Sequence, residues 1–245
     1  MNFISISDIH IRSSADERYS YLLRFLDKGQ SFERIFLLGD IFDVMAGNDL
    51  EYQQEFREYF HKLRLLLEKN KTIYIIEGNH DFQLEDLYRQ QFSKFMSLGK
   101  LIISQEAIIL REDNRRYYLS HGDEINYAEE IYFPYKLFLK SGFAGMVANY
   151  YVPNKIKNYL AHKFSYDTRS GNDRYEIDET KRQTILDQVN LFIESLSYDY
   201  YVTGHNHVEY QGLLGSKIYL NNGYIPHSSK YVCCDEQSGL RLESI

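Results

Sequence analysis

Short runs of β-branched and aromatic residues alternate with amphipathic stretches in the first third of the chain. The runs Phe3–Ile6, Arg34–Leu38 and Thr72–Ile76 have the length and composition of buried strands. Residues 15–28 and 50–69, which separate them, carry apolar side chains at helical spacing. The order strand, helix, strand, helix, strand predicts a layered α/β sheet. Ligands of such sheets bind at the carboxyl ends of the strands.

Further apolar runs continue this pattern toward the end of the chain. The same criteria predict strands at residues 101–103, 107–110, 117–119, 200–203, 217–220, 230–234 and 239–243. Polar motifs directly follow two of these runs, since Ser120 and His121 come after one and Gly204 and His205 after the other. We therefore expect the motifs to gather where the predicted strands end.

The segment 131–166 differs in character from the rest of the chain. It contains no aspartate or glutamate, and aromatic residues are interleaved with the lysines Lys136, Lys140, Lys155, Lys157 and Lys163. Its most apolar part is too short to cross a membrane as a helix. We predict an inserted helical cap. The core would comprise residues 1–124 and 197–245, with the cap and a connecting helix at residues 125–196.

Composition and charge narrow the class of protein. Hydrophobic residues make up 44% and charged residues 26% of the 245 residues, which is typical of a soluble globular protein. The net charge of −7 argues against a nucleic-acid partner. The chain opens without a basic and apolar signal segment, so we expect a cytoplasmic protein. The adjacent Cys233 and Cys234 are expected to be reduced, with one of them packed inward.

Five polar motifs carry side chains that bind metal ions. Asp8 and His10 follow the first strand, and alternation along an extended chain would turn both toward one ion. Asp40 and Asp43 follow the second strand, and a carboxylate with two oxygens can bridge two cations. The other donors are Asn79, His121, His205 and His207. This mixture of nitrogen and oxygen donors favours Mn²⁺, Fe or Zn²⁺ over Mg²⁺ or Ca²⁺.

Each motif alone is common, but five in this order, each after a predicted strand, indicate a single site. In these motifs the sequence resembles the calcineurin-like metallophosphoesterase superfamily. The resemblance implies a two-sheet sandwich flanked by helices, with two divalent metal ions. It implies that Asp8, His10, Asp40 and His207 hold one metal, whereas Asp40, Asn79, His121 and His205 hold the other. Asp43 and Asp81 would orient these ligands.

A two-metal site of this kind hydrolyses phosphate esters, because the paired cations clamp phosphate oxygens and activate a water molecule. His80, beside Asn79, is then the candidate for stabilising developing charge or protonating the leaving oxygen. The alternative is a purely structural imidazole.

The motifs Gly78–Phe82 and His121–Asp123, the chain length and the cap resemble one bacterial branch, the UDP-2,3-diacylglucosamine pyrophosphatases of lipid A synthesis. The resemblance implies cleavage to UMP and 2,3-diacylglucosamine 1-phosphate, with the acyl chains held by the cap. It implies phosphate contact for Lys181, and proximity to His121 suggests substrate contact for Glu124, Asn126 and Tyr127. The sequence departs from this branch at His80, where arginine is usual, at residues 124–127, and at residues 208–209 after the last histidine motif.

Two alternatives to this lipid-linked substrate stay open. A phosphodiesterase or phosphatase acting on a soluble nucleotide or phosphoester would have an open cleft and no apolar interior in the cap. A non-catalytic metal-binding scaffold would normally have lost ligands. The cap could line an acyl groove or contact the inner membrane peripherally, or its helices could bury their aromatics against the core and leave the lysines in water.

Overall fold

Six strands form the first sheet in a computed structural model, which describes residues 1–112, 114–126 and 177–245. In spatial order the strands are β13 (Gly239–Ser244), β12 (Lys230–Asp235), β1 (Phe3–Ile6), β2 (Arg34–Leu38), β4 (Thr72–Ile76) and β6 (Leu101–Ser104). The strands β1, β2, β4 and β6 are parallel, and β12 and β13 extend the sheet with antiparallel pairings. The carboxyl ends of the four parallel strands therefore lie at the same edge.

Helices cover the outer face of this sheet. They are α1 (Tyr19–Lys28), α2 (Glu51–Glu55), α3 (Arg57–Glu68) and α4 (Glu85–Ser97). Alternation along β1 sends Ile4 and Ile6 into this helical layer, where they join Phe25 of α1 and Leu63 of α3 in one buried cluster. A short ladder between β3 (Met45–Ala46) and β5 (Asp81–Phe82) lies beside the loops that follow β2 and β4.

The second sheet has five strands and packs against the inner face of the first. In spatial order they are β10 (Tyr210–Leu214), β11 (Lys217–Asn221), β9 (Tyr200–Val202), β8 (Arg115–Leu119) and β7 (Ile108–Glu112). Phe3 and Phe36 of the first sheet meet Tyr117 and Val202 of the second in a shared apolar cluster. The rings of Phe3 and Tyr117 make an edge contact with centroids 6.2 Å apart.

Helix α5 (Glu179–Glu194) completes the sandwich on the outer face of the second sheet. Asp178 caps its N-terminus by accepting a hydrogen bond from the backbone N–H of Lys181 at 2.7 Å. Val189 and Ile193 are buried against Tyr201 and Tyr219. The layers are thus helix, sheet, sheet and helix, which confirms the predicted α/β sandwich.

The predicted helices differ from those observed at two places. Residues 15–18 form a turn before α1, because the Asp16 carboxylate accepts the backbone N–H groups of Arg12 and Arg18. The helix expected over residues 50–69 divides at Phe56, whose φ of −105° and ψ of 36° are non-helical. The break lets the Phe56 ring pack on Phe42, with centroids 4.6 Å apart. The sequence pattern also missed α4 and β10.

Three other expectations concern cysteines, the cap and membranes. Cys233 and Cys234 are both free thiols and both buried, because β12 is covered on each face, so the expectation that only one packs inward was wrong. The cap segment 131–166 and Tyr127 lie outside the described residues. Within the described ranges no helix has the length and apolar character needed to cross a bilayer.

Candidate metal centre

The site lies where strands of both sheets end. Each loop that follows β1, β2, β4, β8 or β9 contributes at least one of the predicted ligands, which are Asp8, His10, Asp40, Asn79, His121, His205 and His207. The structure brings all seven side chains together in two adjoining groups. Residues that are distant in sequence meet here because parallel strands align their carboxyl ends.

Left-handed backbone at several of these residues gives the loops their shape. The φ angles of Asp8, His10 and Asp40 are 56°, 53° and 53°, and those of His205 and His207 are 68° and 59°. Asp8 and His10 therefore reach one place through a tight turn, and the alternation expected of an extended chain does not apply. Each such residue costs about 1–3 kcal/mol, which the surrounding structure has to offset.

Backbone hydrogen bonds between loops hold this strained conformation. The N–H of Asp8 donates to Gly39 O at 3.2 Å, and the N–H of His10 donates to Asp40 O at 3.0 Å. In addition, the N–H of His205 donates to both carboxylate oxygens of Asp8 at 3.0 Å. The loops after β1, β2 and β9 thus fix one another, so the donor atoms are held before any ligand binds.

The first group of donors consists of Asp8, His10 and His207. His10 Nε2 lies 3.2 Å from His207 Nε2, and His207 Nε2 lies 3.3 Å from Asp8 Oδ1. The side chains of Asp8 and His10 are almost fully buried. These three side chains point their ligating atoms at one small volume.

The second group contains Asn79, His121 and His205, with Asp40 between the two groups. His121 Nε2 lies 3.1 Å from Asn79 Oδ1 and 3.2 Å from His205 Nδ1. Asp40 Oδ1 is 3.7 Å from His121 Nε2, whereas Asp40 Oδ2 is 3.8 Å from His10 Nε2. One carboxylate therefore faces both groups, one oxygen toward each.

The donor geometry fits a pair of metal ions. Atoms bound to one ion at about 2.0–2.2 Å lie about 3.0–3.5 Å from one another, which matches the spacing within each group. Two imidazole nitrogens facing each other at 3.2 Å, as in His10 and His207, make at best one hydrogen bond between them. A cation between them would satisfy both nitrogens.

Electrostatics in the second group also favour a cation. Burial alone would raise the pKa of Asp40, but His121, His80 and His10 bring it well below its usual range. Burial alone would lower the pKa of His121, yet the negative charges of Asp40, Asp123 and Asp8 raise it to about 9. For His205, burial and the neighbouring His121 lower the pKa to about 4. The carboxylates thus hold positive charge here, either as a proton on His121 or as a metal cation in its place.

Asp81 holds the loop after β2 from beneath. Its carboxylate accepts the backbone N–H groups of Asp40 and Ile41, each at 2.8 Å, and that of Gly78 at 3.0 Å. Burial and the charge of Asp40 raise the pKa of Asp81 to about 7. A side chain at Gly78 would collide with Asp40 Oδ1, so the close approach of these two loops requires glycine at this position.

His80 and Asp43 lie next to the first group. The Nδ1 atom of His80 lies 2.9 Å from the carbonyl oxygen of Asp43, which can only accept, so Nδ1 carries a proton. The ring stands edge-on to His10, with centroids 4.8 Å apart. Asp43 Oδ1 is 3.9 Å from His10 Nδ1, on the side of the ring away from Nε2. Both residues thus contact His10, and His80 also forms a group with His10 and Asp40 whose possible ligating atoms lie within 4.8 Å of one another.

The predicted substrate-contacting residues are more dispersed. Glu124 Oε1 accepts a hydrogen bond from Tyr118 OH at 3.0 Å, so this carboxylate is directed toward the second sheet. Asn126 ends the 3₁₀ helix that follows His121. Lys181 is exposed near the start of α5, and the next residue, Arg182, donates to the carbonyl of Glu209 at 3.2 Å. Substrate contact by these residues stays a prediction.

Residues at the end of β11 and just after it also support the site, although the sequence pattern did not single them out. Asn221 Nδ2 donates to Gly204 O at 2.9 Å, and Asn222 accepts the N–H of Ser7 at 3.2 Å, so the two amides brace the loops of His205 and Asp8. Tyr224 stacks on His207, with ring centroids 5.3 Å apart. The signal was available, since polar residues and a glycine follow a predicted strand here as in the other motifs.

Comparison with known proteins agrees with this site. The model of the family described as "Calcineurin-like phosphoesterase" matches residues 1–209. A protein of Photorhabdus laumondii named "UDP-2,3-diacylglucosamine hydrolase" is 24% identical over 205 residues, which cover 82% of this chain and 80% of that protein. A protein of Haemophilus influenzae with the same name is 23% identical over 209 residues, covering 83% and 82%.

A solved archaeal phosphodiesterase has the same fold, with a TM-score of 0.51 and 12% identity over the full length of both chains. The family match spans most of the chain and includes all five motifs. Proteins of this family use divalent metal ions, and the two donor groups described above could hold them. The chain therefore belongs to the calcineurin-like phosphoesterase family, and it is a metal-dependent hydrolase.

Proposed function

We propose that this protein hydrolyses a diphosphate or phosphate ester at two divalent cations. Asp8, His10 and His207 would bind one cation, and Asn79, His121 and His205 the other, with Asp40 shared between them. The observation that carries this proposal is the Asp40 carboxylate, whose two oxygens face the two donor groups at 3.8 Å and 3.7 Å. Cations bound here would act as Lewis acids on phosphate oxygens and lower the pKa of a water molecule.

Side chains of the protein would donate the proton to the leaving group and position the metal ligands. His80 is held by the Asp43 carbonyl through Nδ1, so Nε2 is the atom that would act on the leaving oxygen, as a proton donor when the ring carries both protons. Asp43 lies behind His10 and Asp81 beneath the Asp40 loop, so both act by positioning ligands. The rings of His10 and His80, in edge contact, would align the phosphate with the proton donor.

The proposed substrate is UDP-2,3-diacylglucosamine, cleaved to UMP and 2,3-diacylglucosamine 1-phosphate. Support comes from the named relatives, which align over about four fifths of their own length. The lysines and aromatics of segment 131–166 suit a lipid-binding cap. A phosphodiesterase acting on a soluble nucleotide is the second candidate, favoured by histidine at position 80 where the lipid A branch usually has arginine.

Manganese is the proposed metal, with iron and zinc as alternatives, because each accepts the mixture of imidazole, carboxylate and amide ligands. We also propose that the protein works in the cytoplasm and contacts the inner membrane peripherally through segment 131–166. The net charge of −7 argues against a nucleic-acid substrate.

The test is hydrolysis of UDP-2,3-diacylglucosamine by Mn²⁺-loaded protein, with the masses of the products recorded. Release of UMP and the lipid phosphate, lost in His10→Ala, is the expected result. Cleavage of bis(p-nitrophenyl) phosphate without turnover of the lipid would reject the lipid substrate and retain the phosphodiesterase. Metal binding without cleavage of either compound would leave only a non-catalytic scaffold.

A further inference from the structure

One basic side chain stands at the rim of the candidate metal centre without belonging to either donor group. Arg12 follows His10 by two residues, and its side chain is 59% exposed. The chain before it is fixed, because the N–H of Ile11 donates to Ile41 O at 3.0 Å and Ile11 O accepts the N–H of Asp43 at 2.8 Å. The N–H of Arg12 itself donates to Asp16 at 3.1 Å. The backbone of Arg12 is thus anchored while its guanidinium faces solvent.

The guanidinium is tied to the metal centre through Asp43. One carboxylate oxygen of Asp43 lies 3.9 Å from His10 Nδ1, and the other lies 3.8 Å from Arg12 Nε. The Asp43 side chain is only 4% exposed, so it draws the inner edge of the guanidinium toward the centre. At 3.8 Å this is an ion pair and too long for a hydrogen bond. The outer N–H groups of Arg12 can therefore be presented to a bound molecule.

The nearby Arg18 has a different environment. It forms a close ion pair with Asp16 at 2.5 Å, and its Nη1 lies 3.4 Å from Tyr224 OH. Its side chain is 11% exposed. Arg18 is therefore a structural cation that holds the loop before α1, whereas Arg12, on the same loop, is the one available to a ligand.

The positive charge of Arg12 can balance negative charge on a diphosphate substrate. A diphosphate substrate carries negative charge on two phosphates, and the two cations would neutralise mainly the phosphate that is attacked. Asp43, which is buried beside His10, would repel the second phosphate unless a cation stands between them. Arg12 pairs with Asp43 and is exposed, so it can supply that cation, and a guanidinium can donate two parallel hydrogen bonds to phosphate oxygens.

We propose that Arg12 binds the second phosphate of a diphosphate substrate, next to the phosphate held by the metal ions. The proposal rests on the proposed function and deepens it, since it makes the protein selective for diphosphates over substrates with a single phosphate. Arg12 would then determine specificity, and it would leave metal binding unchanged.

The experiment measures the binding of UDP and of UMP to the full-length protein with Mn²⁺ present, by calorimetry. Arg12→Gln removes the charge and keeps a shorter, polar side chain. We expect it to weaken UDP binding by about tenfold, the loss of one charge-assisted contact, and UMP binding by less than about twofold. Arg12→Lys keeps the charge without the paired donors, so its UDP affinity should lie between that of the unaltered protein and that of Arg12→Gln.

The matched control is Arg24→Gln on α1. Arg24 is also exposed, and among the described residues its hydrogen-bond and ring partners lie on its own helix, Ser20 O at 3.3 Å and the Tyr21 ring at 4.9 Å. Its UDP and UMP affinities should equal those of the unaltered protein. The Mn²⁺ content of every variant is measured in parallel.

Equal weakening of UDP and UMP by Arg12→Gln, or loss of Mn²⁺, would overturn the proposal, because Arg12 would then act only by positioning Asp43. Unchanged binding of both would overturn it as well. Failure of the proposed function looks different, since the protein would then cleave no phosphoester. A selective loss of UDP binding would support the role of Arg12 even in that case.

Discussion

The chemistry of each histidine in this site depends on the partner of its second nitrogen. His121 Nδ1 lies 2.8 Å from the carbonyl oxygen of Leu38, and His80 Nδ1 lies 2.9 Å from that of Asp43. A carbonyl only accepts, so both rings carry a proton on Nδ1. The second nitrogen, Nε2, is then the one that would bind a metal ion or exchange a proton. For His121 that atom faces Asn79 among the donors. His80 has the same restraint and lies close to His10 and Asp40, a position from which the proposed proton transfer could occur.

His80→Ala should therefore separate catalysis from metal binding. We expect turnover to fall by about a hundredfold or more, the usual contribution of a general acid, while the Mn²⁺ content stays near that of the unaltered protein. The measurements are kcat on bis(p-nitrophenyl) phosphate and metal content by mass spectrometry. His61→Ala, at an exposed position of α3, is the control and should alter neither. Equal losses of turnover and metal would mean that His80 is a ligand.

Tyr224 should affect the affinity of the first donor group through ring packing. Its ring stacks on His207 at 5.3 Å and lies 6.0 Å from the His10 ring. Tyr224→Leu removes this support, and we expect Mn²⁺ binding to weaken by about tenfold, as when other groups that orient ligands are lost. Tyr224→Phe keeps the ring and should bind Mn²⁺ normally. Calorimetric titration measures the Mn²⁺ affinity, and equal affinities of Tyr224→Leu and Tyr224→Phe would contradict this role.

At the scale of elements, the site depends on loops that brace one another. The loop between β1 and α1 carries Asp8 and His10 and closes on Asp16, whose carboxylate accepts hydrogen bonds from the backbone N–H groups of Arg12 and Arg18 and from Nε and Nη2 of Arg18. Burial tends to raise the pKa of Asp16, but these hydrogen bonds and the Arg18 charge lower it overall. The ionised carboxylate therefore stabilises the loop.

This pKa shift predicts a pH-dependent stability. Because the folded pKa of Asp16 is lower than the unfolded value of about 3.9, the stabilisation is present above that pH and disappears as the pH falls through the folded pKa. Asp16→Asn should lower the free energy of unfolding by about 1 kcal/mol at pH 6.5 and by much less near pH 3.

Urea unfolding of metal-free protein at the two pH values measures this effect. Asp27→Asn is the control, because Asp27 pairs with Lys62 at the surface and is about half exposed, so its removal should cost little at either pH. A destabilisation by Asp16→Asn that is the same at both pH values would show that the charge of Asp16 is unimportant.

At the scale of the whole molecule, the donor atoms join the two sheets. Asp8, Asp40 and Asn79 follow strands of the first sheet, whereas His121 and His205 follow strands of the second. A bound metal ion would therefore hold the sandwich together at one end. The unfolded chain cannot offer these donors in one place, so metal binding favours the folded state.

Metal removal should thus lower the melting temperature. With free Mn²⁺ at about one hundred times its Kd, binding adds about 2.7 kcal/mol, which corresponds to about 5–10 °C for a chain of this size. Calorimetric scans with Mn²⁺ and with a chelator measure the difference. In His10→Ala the difference should shrink, because one donor group has lost a ligand. The same melting temperature with and without Mn²⁺ would contradict the proposed centre.

Much of this arrangement could be predicted because the relevant signals are local. The strands β1, β2 and β4 are mostly apolar runs with the observed ends, as expected for strands that are covered on both faces. All seven predicted ligands follow strands, and the structure brings them together. The break at Phe56 was not predictable, because it depends on Phe42, which is distant in sequence. The left-handed turns at Asp8 and His10 depend in the same way on the neighbouring loop.

The sequence by itself determined most strands of the two sheets and the family, and it predicted the seven donors, because each of these signals lies in residues close together along the chain. The family resemblance implied how the donors divide, and only the tertiary structure decided the distances and contacts within that arrangement. It set the two oxygens of Asp40 toward different groups and placed Tyr224 on His207. It also left Arg12 exposed, whereas the Arg18 side chain is only 11% exposed and held in an ion pair. Distances and exposure depend on how the two sheets pack, and no local pattern specifies that packing.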